Sequence, residues 1–331
     1  MATVLVSEVA PRDGLQSVAA IMPTTAKHRW IAAMAAAGLR EIEVGSFVPA
    51  RLLPQLADTG EVVRQAIAIP GVRIMALVPN LRGAQAAYEA GAHKITIPVS
   101  VSEAHSLANV RKTHAQMIEE VRGIVAWRDA HCPGLQIESG LATAFGCTIS
   151  GAVPEDDVVR MAARMAEIGA DDIGLADTTG YGNPAQVRRL FTRVRAEVGD
   201  RLGGAHFHNT RGQGLANVVA ALDVGVTTFD ASLGGIGGCP YAPGASGNIV
   251  TEDLVFLLEA MGLDTGIDLE RLLEARNLLA AALPGEPLYG HLAGAGLPKG
   301  FRYADGRAPQ ASARVAACAS LKGPSPGESC S

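Results

Sequence analysis

Short β-branched apolar runs alternate along this chain with longer, Ala-rich segments of helical period, and this repeat constrains the fold more than any single motif. The runs occupy residues 4–9, 41–44, 73–78, 94–99, 135–139, 172–176, 205–208 and 227–231. Amphipathic stretches at 25–37, 62–68, 83–90, 117–130, 155–168, 184–198 and 214–224 separate them. Strand-length runs alternating with helix-length periodic segments are the signature of βα units around a parallel sheet. Eight units between residues 4 and 231 predict a closed (β/α)8 TIM barrel in the α/β class rather than an open, doubly wound sheet. No GxGxxG follows the first run, which argues against a dinucleotide-binding fold. Gly91-Ala92, Gly169-Ala170 and Gly225-Val226 stand just before three of the runs, where glycine can close a helix in the left-handed conformation.

After Thr251 the pattern becomes helical, at 254–261 and 269–283. The expected organisation is one catalytic domain over 1–290, including these additional C-terminal helices, and a C-terminal extension over 291–331. From about Gly306 the extension is rich in Pro, Gly and Ser and reads as poorly ordered, with Cys330 incidental to function. Aromatic residues make up only 4% of the chain, so its core must be built from Ala, Val, Ile and Leu. A net charge of −5 supplies no basic face for a phosphate backbone, and nucleic acid is not an expected partner. Five scattered cysteines suit a reducing compartment. The chain shows no basic n-region before its first strand, and no apolar run of the ~20 residues needed to cross a bilayer. A soluble, cytoplasmic protein without a membrane partner is therefore expected.

Active sites of such barrels lie at the C-terminal ends of the strands, so polar residues there call for a chemical reading. The seventh run ends in His206-Phe207-His208, where alternation puts both imidazoles on one side. They form either a two-nitrogen claw for a divalent cation or a pair of core or surface histidines. The first run leads into Arg12-Asp13, a possible oxyanion holder beside a possible metal carboxylate, or an ordinary surface turn. The loop from Gly234 to Asn248 is glycine-rich around Cys239, and suits a phosphate cradle or a mobile lid that delivers a thiol. Glu43 on the second run and Asp177 at the end of the sixth are structural carboxylates or members of a proton-handling mouth.

Together these residues resemble the 3-hydroxy-3-methylglutaryl-CoA lyase family, within the metal-dependent barrels that include isopropylmalate and homocitrate synthases. The similarity runs from about Val4 to Glu274. It is carried by Pro11-Arg12-Asp13-Gly14-Leu15-Gln16, the stretch 43–48, Pro79-Asn80-Leu81, Asp177-Thr178, His206-x-His208 and the loop from Gly237 to Asn248. The resemblance implies that Asp13, His206, His208 and Asn248 bind Mg2+ or Mn2+. Arg12 would stabilise an enolate oxygen, Cys239 and His206 would share proton transfer, and Glu43 and Asp177 would tune the site. Gln16, Ser46, Asn109 and Thr178, with Arg12, would contact the substrate. The implied activity is retro-Claisen cleavage of an acyl-CoA, (S)-3-hydroxy-3-methylglutaryl-CoA to acetyl-CoA and acetoacetate, by a homodimer. Related lyases of citramalyl-CoA or longer 3-hydroxyglutaryl-CoA substrates, an isopropylmalate-type condensing enzyme and a non-catalytic barrel are the alternatives. Two departures bear on the substrate: Ser17-Val18-Ala19 replaces Asn-Glu-Lys, and Leu107-Ala108 replaces Lys-Lys before Asn109.

Overall fold

The computed structural model describes residues 3–238 and 247–309. Eight parallel strands, β1 (Leu5–Glu8), β2 (Glu41–Ser46), β3 (Arg73–Leu77), β4 (Lys94–Ser100), β5 (Gln136–Ala142), β6 (Asp172–Asp177), β7 (Leu202–Phe207) and β8 (Thr228–Ala231), form a closed barrel in sequence order. Closure is direct, with Leu5 to Glu8 of β1 in register with Thr228 to Ala231 of β8. The barrel expected from the sequence is present, and every expected strand falls within a few residues of an observed one. β7 begins three residues early because Gly203 and Gly204 carry no side-chain pattern that would mark a strand.

The outer ring consists of α1 (Thr24–Ala36), α2 (Thr59–Ala66), α3 (Leu81–Glu89), α4 (Glu103–Asn109), α5 (His114–His131), α6 (Glu155–Ile168), α7 (Pro184–Val198) and α8 (Gly214–Leu222). Local chemistry sets their limits. Asn80 and Asn183 accept backbone N–H bonds at the starts of α3 and α7, and Thr113 with Gln116 makes a capping box on α5. Gly169 closes α6 at φ +108°, a conformation that a side chain would strain. Beyond the barrel lie α9 (Thr251–Ala260), α10 (Leu269–Ala282) and α11 (Leu292–Ala295). Residues past α11 still pack: Tyr303 is buried, and its hydroxyl accepts from Leu269 N at 2.9 Å. Cys330 and residues 310–331 lie outside the described residues.

The apolar core is an annulus between sheet and helices. Ile95, Ile97 and Val99 of β4 point outward into it and meet residues such as Val121 and Ile124 of α5. The other set of strand side chains faces the barrel axis, and much of it is charged: Glu41, Glu43, Lys94, Glu138, Asp172 and Asp230. Along the axis Lys94 bridges Glu138 at 2.6 Å and Asp172 at 2.9 Å, and Arg73 pairs with Glu41 at 3.1 Å. These pairs sit near the N-terminal ends of the strands and close the floor of the barrel.

Candidate active site

At the opposite mouth, β1 gives way to a single π-helical turn, Ala10–Gly14, that begins with Pro11 at its first positions. The extra residue in such a turn re-aims side chains, a device common at functional sites. Both Arg12 and Asp13 are buried in consequence. Arg12 donates through Nε to Glu43 Oε2 at 2.5 Å and through Nη1 to Asp13 Oδ1 at 2.7 Å. Gln16 Nε2 donates to the same Asp13 oxygen at 2.6 Å. Burial alone would push the Asp13 carboxyl up, but the Arg12 guanidinium and the two imidazoles hold it well below the usual carboxylate range. Glu43 moves the other way: burial raises it against the opposing pull of Arg12.

His206 lies on β7 and His208 one residue past its end, on the same side as the period of two requires. Their Nε2 atoms stand 3.1 Å apart, and they lie 3.9 and 3.8 Å from Asp13 Oδ2. His208 is held in place by a short antiparallel bridge to Asn248, which returns from the loop after β8. Asn248 Nδ2 donates to Asp13 Oδ2 at 2.7 Å and to Ile236 O at 3.2 Å. Both partners are acceptors, which fixes the amide orientation. Gly237, at φ +111°, lies so near that a Cβ there would press on the Asn248 amide and stand 3.1 Å from Asp13 O.

This donor set suits a hard divalent cation. Ligand atoms about 2.1 Å from an ion stand roughly 3 to 4.2 Å apart, and the Asp13, His206 and His208 atoms fall in that range. Among the described residues the buried Asn248 Oδ1 has no hydrogen-bond partner, and neither has His208 Nδ1. A buried orphan acceptor carries a substantial cost unless something else satisfies it. One carboxylate, one amide oxygen and two imidazoles would supply four ligands and leave two octahedral positions for oxygens of a substrate or water.

The remaining expected residues divide. Asp177 spends both oxygens on its own loop, accepting from Tyr181 N at 2.9 Å and Gly182 N at 3.0 Å, and burial raises it to about 6. Thr178 Oγ1 accepts from Thr143 N at 2.9 Å, tying the ends of β5 and β6 together. Ser46 is buried and its hydroxyl has no partner among the described residues, while Asn109 is exposed at the end of α4. Cys239 lies outside the described residues. Sequence reasoning passed over Asp230, whose Oδ2 lies 3.0 Å from His206 Nδ1, although its place among Thr228 and Ser232 on one face of β8 marked it as axial. It also passed over Glu8, buried at the end of β1, which accepts from Ala10 N, Leu233 N and Thr251 Oγ1. Burial pushes the Glu8 carboxyl up to about 8.

A (β/α)8 barrel that gathers a carboxylate–imidazole cluster and a buried arginine at the C-terminal mouth has the layout of a barrel enzyme's active site. Among such barrels this chain belongs to the HMGL-like family, whose model matches residues 3–279. It is 39% identical over 285 residues to the hydroxymethylglutaryl-CoA lyase YngG of Bacillus subtilis, covering 86% of this chain and 94% of that one. The hydroxymethylglutaryl-CoA lyase of Pseudomonas mevalonii is 40% identical over 283 residues, covering 86% and 93%. Among solved structures, an HMG-CoA lyase from Acinetobacter baumannii in complex with coenzyme A and 3-methylmalate superposes with a TM-score of 0.85. That pair is 41% identical, over 91% of this chain and 97% of the other.

Proposed function

We propose that this protein cleaves (S)-3-hydroxy-3-methylglutaryl-CoA to acetyl-CoA and acetoacetate with the help of Mg2+ or Mn2+. The observation that carries this reading is the π-turn that places Arg12 and Asp13 side by side: a fixed cation for an oxyanion next to a carboxylate for a metal. Relatives of matching length are named for the same reaction. In this reading Asp13, His206, His208 and Asn248 hold the cation. When bound, it would supply Lewis acidity to a substrate hydroxyl and carboxylate.

The chain's own residues then do the rest. The proton of the tertiary hydroxyl leaves through the proton-transfer pair of His206 and Cys239, with His206 acting through its Nδ1 contact to Asp230 rather than through the Nε2 that would face the cation. The C2–C3 bond breaks, its electron pair passes into the thioester as an enolate, and the C3 oxygen becomes the ketone of acetoacetate. Arg12 uses Nε and Nη1 on Glu43 and Asp13, leaving Nη2 to meet the enolate oxygen, where negative charge develops most strongly. Cys239 returns a proton to C2. Gln16, Ser46, Thr178 and Asn109 serve the acyl-CoA; the loss of lysine at 19, 107 and 108 falls on the same rim, so coenzyme A would be held by fewer cations. The working form is a cytoplasmic homodimer, and residues 1–290 form its catalytic domain.

A coupled assay of the purified protein with Mg2+ across a panel of 3-hydroxy-acyl-CoA thioesters tests the reading. Fastest turnover is expected with the 3-hydroxy-3-methylglutaryl thioester. Condensation of acetyl-CoA with a keto acid, with no thioester of the panel cleaved, would replace it with the synthase reading.

A further inference from the structure

We propose that Asp230 is a positioning residue that fixes which nitrogen of His206 faces the metal, and so sets the affinity of the site for its cation. The inference rests on the metal reading above and concerns a residue outside that ligand set. β7 and β8 pair in parallel with His206 and Asp230 at the same level, so both side chains enter the barrel axis side by side. Asp230 Oδ2 stands 3.0 Å from His206 Nδ1. A carboxylate can only accept, so Nδ1 carries the proton and Nε2 is left with its lone pair aimed at His208 Nε2 and Asp13 Oδ2.

His208 has no such support. Its Nδ1 is buried without a hydrogen-bond partner among the described residues. The two imidazoles therefore come to the cation differently: one is locked in ring orientation and tautomer from behind, and the other has its backbone bridge to Asn248 but, among the described residues, no acceptor behind its ring. A metal-ligating histidine that donates its second N–H to a carboxylate is a more basic and better oriented ligand, and loss of such a partner costs about 10- to 100-fold in affinity. Asp230 also stands where solvent reaches only a quarter of its side chain, so water is a poor substitute if the carboxylate is removed.

The experiment uses the full chain and Mn2+ as probe, in the parent, Asp230→Asn and Asp230→Ala. Free Mn2+ is read by electron paramagnetic resonance, and the tautomer of His206 by nitrogen-15 NMR of the metal-free protein, its signals assigned by their loss in His206→Asn. The parent should show a single Nδ1–H tautomer and bind Mn2+. Asp230→Ala should mix the tautomers and weaken Mn2+ binding by about 10- to 100-fold. Asp230→Asn keeps the shape and guards against a folding defect, and should weaken binding by a smaller factor in the same direction. Variants that bind Mn2+ within twofold of the parent, or a His206 tautomer unmoved in Asp230→Ala, would overturn the role of Asp230. A parent that binds no Mn2+ would overturn the metal reading and this inference with it, and the tautomer measurement would separate that failure from the first.

Discussion

The two ends of the barrel axis are built from the same side chains and do opposite things with them. At the floor every charge has a partner: Lys94 neutralises Glu138 and Asp172, and Arg73 answers Glu41. At the mouth Arg12 is likewise paired, but among the described residues the buried Asn248 Oδ1 and Glu43 Oε1 have no hydrogen-bond partner. Complete pairing makes a rigid plug, whereas acceptors left over around one point make a seat for a cation. The distinction is one of bookkeeping in hydrogen bonds rather than of composition, and it separates structural from chemical charge within one axis.

The comparison predicts that floor substitutions act on stability alone and that mouth substitutions act on chemistry, with a stability cost where they break a buried ion pair. The largest effect is expected for Lys94→Met, which leaves the Glu138 carboxylate buried without its counter-charge. A loss of about 3–5 kcal/mol in denaturant unfolding should follow, with Mn2+ binding by the surviving folded protein little changed. That loss should shrink toward pH 5, because Glu138, already raised to about 7 by burial, can then take a proton. A simultaneous loss of metal would erase the division between the two ends.

Arg12→Gln should lower kcat by about 10²- to 10³-fold, the usual effect of removing one oxyanion donor, and should also lower the unfolding midpoint, because the buried Glu43 carboxylate loses its counter-charge. A change confined to KM would mean that Arg12 binds substrate without meeting the developing charge. His208→Ala should weaken Mn2+ binding at least about tenfold and leave denaturant stability near the parent value; an unaltered metal titration would remove His208 from the ligand set.

The last effect is a slope with pH and concerns Glu8, which holds the π-turn to the loop after β8 within the mouth itself. Its carboxyl titrates near 8 in the folded protein and near 4.5 when exposed, so between those values the folded state holds more protons than the unfolded. Stability from this group is full below about pH 4.5 and declines as pH rises toward 8. Glu8→Gln, which cannot ionise, should flatten that decline in urea midpoints measured from pH 5 to 8.5. An identical slope in both proteins would show that Glu8 is not a source of it.

The barrel was legible in the sequence because its signal is repeated eight times, and an error of a residue or two at any strand leaves the period intact. Residues at strand ends were legible for a related reason: once the strand is placed, Asp13, His206 and His208 fall at the mouth. The π-turn was not, since Pro11 and Gly14 predict an irregular turn and give no warning of the extra residue. Asn248 entered only through resemblance, because nothing local ties it to Asp13, 235 positions away. The axial place of Asp230 was legible, but its partner and that of Lys94 were not, because both partners belong to neighbouring strands. Pairing across a closed barrel is a tertiary fact, and local periodicity carries no trace of it.

The annular core described above has a consequence for how such a protein can change over generations. Apolar burial lies almost wholly between sheet and helices, where each lost methylene costs about 0.8 kcal/mol and drift is checked by folding. Axial side chains bury few methylenes, so their replacement is judged mainly by whether the remaining charges stay matched. The outer layer is thus constrained by packing, and the axial layer by charge matching at the floor and by side-chain geometry at the mouth.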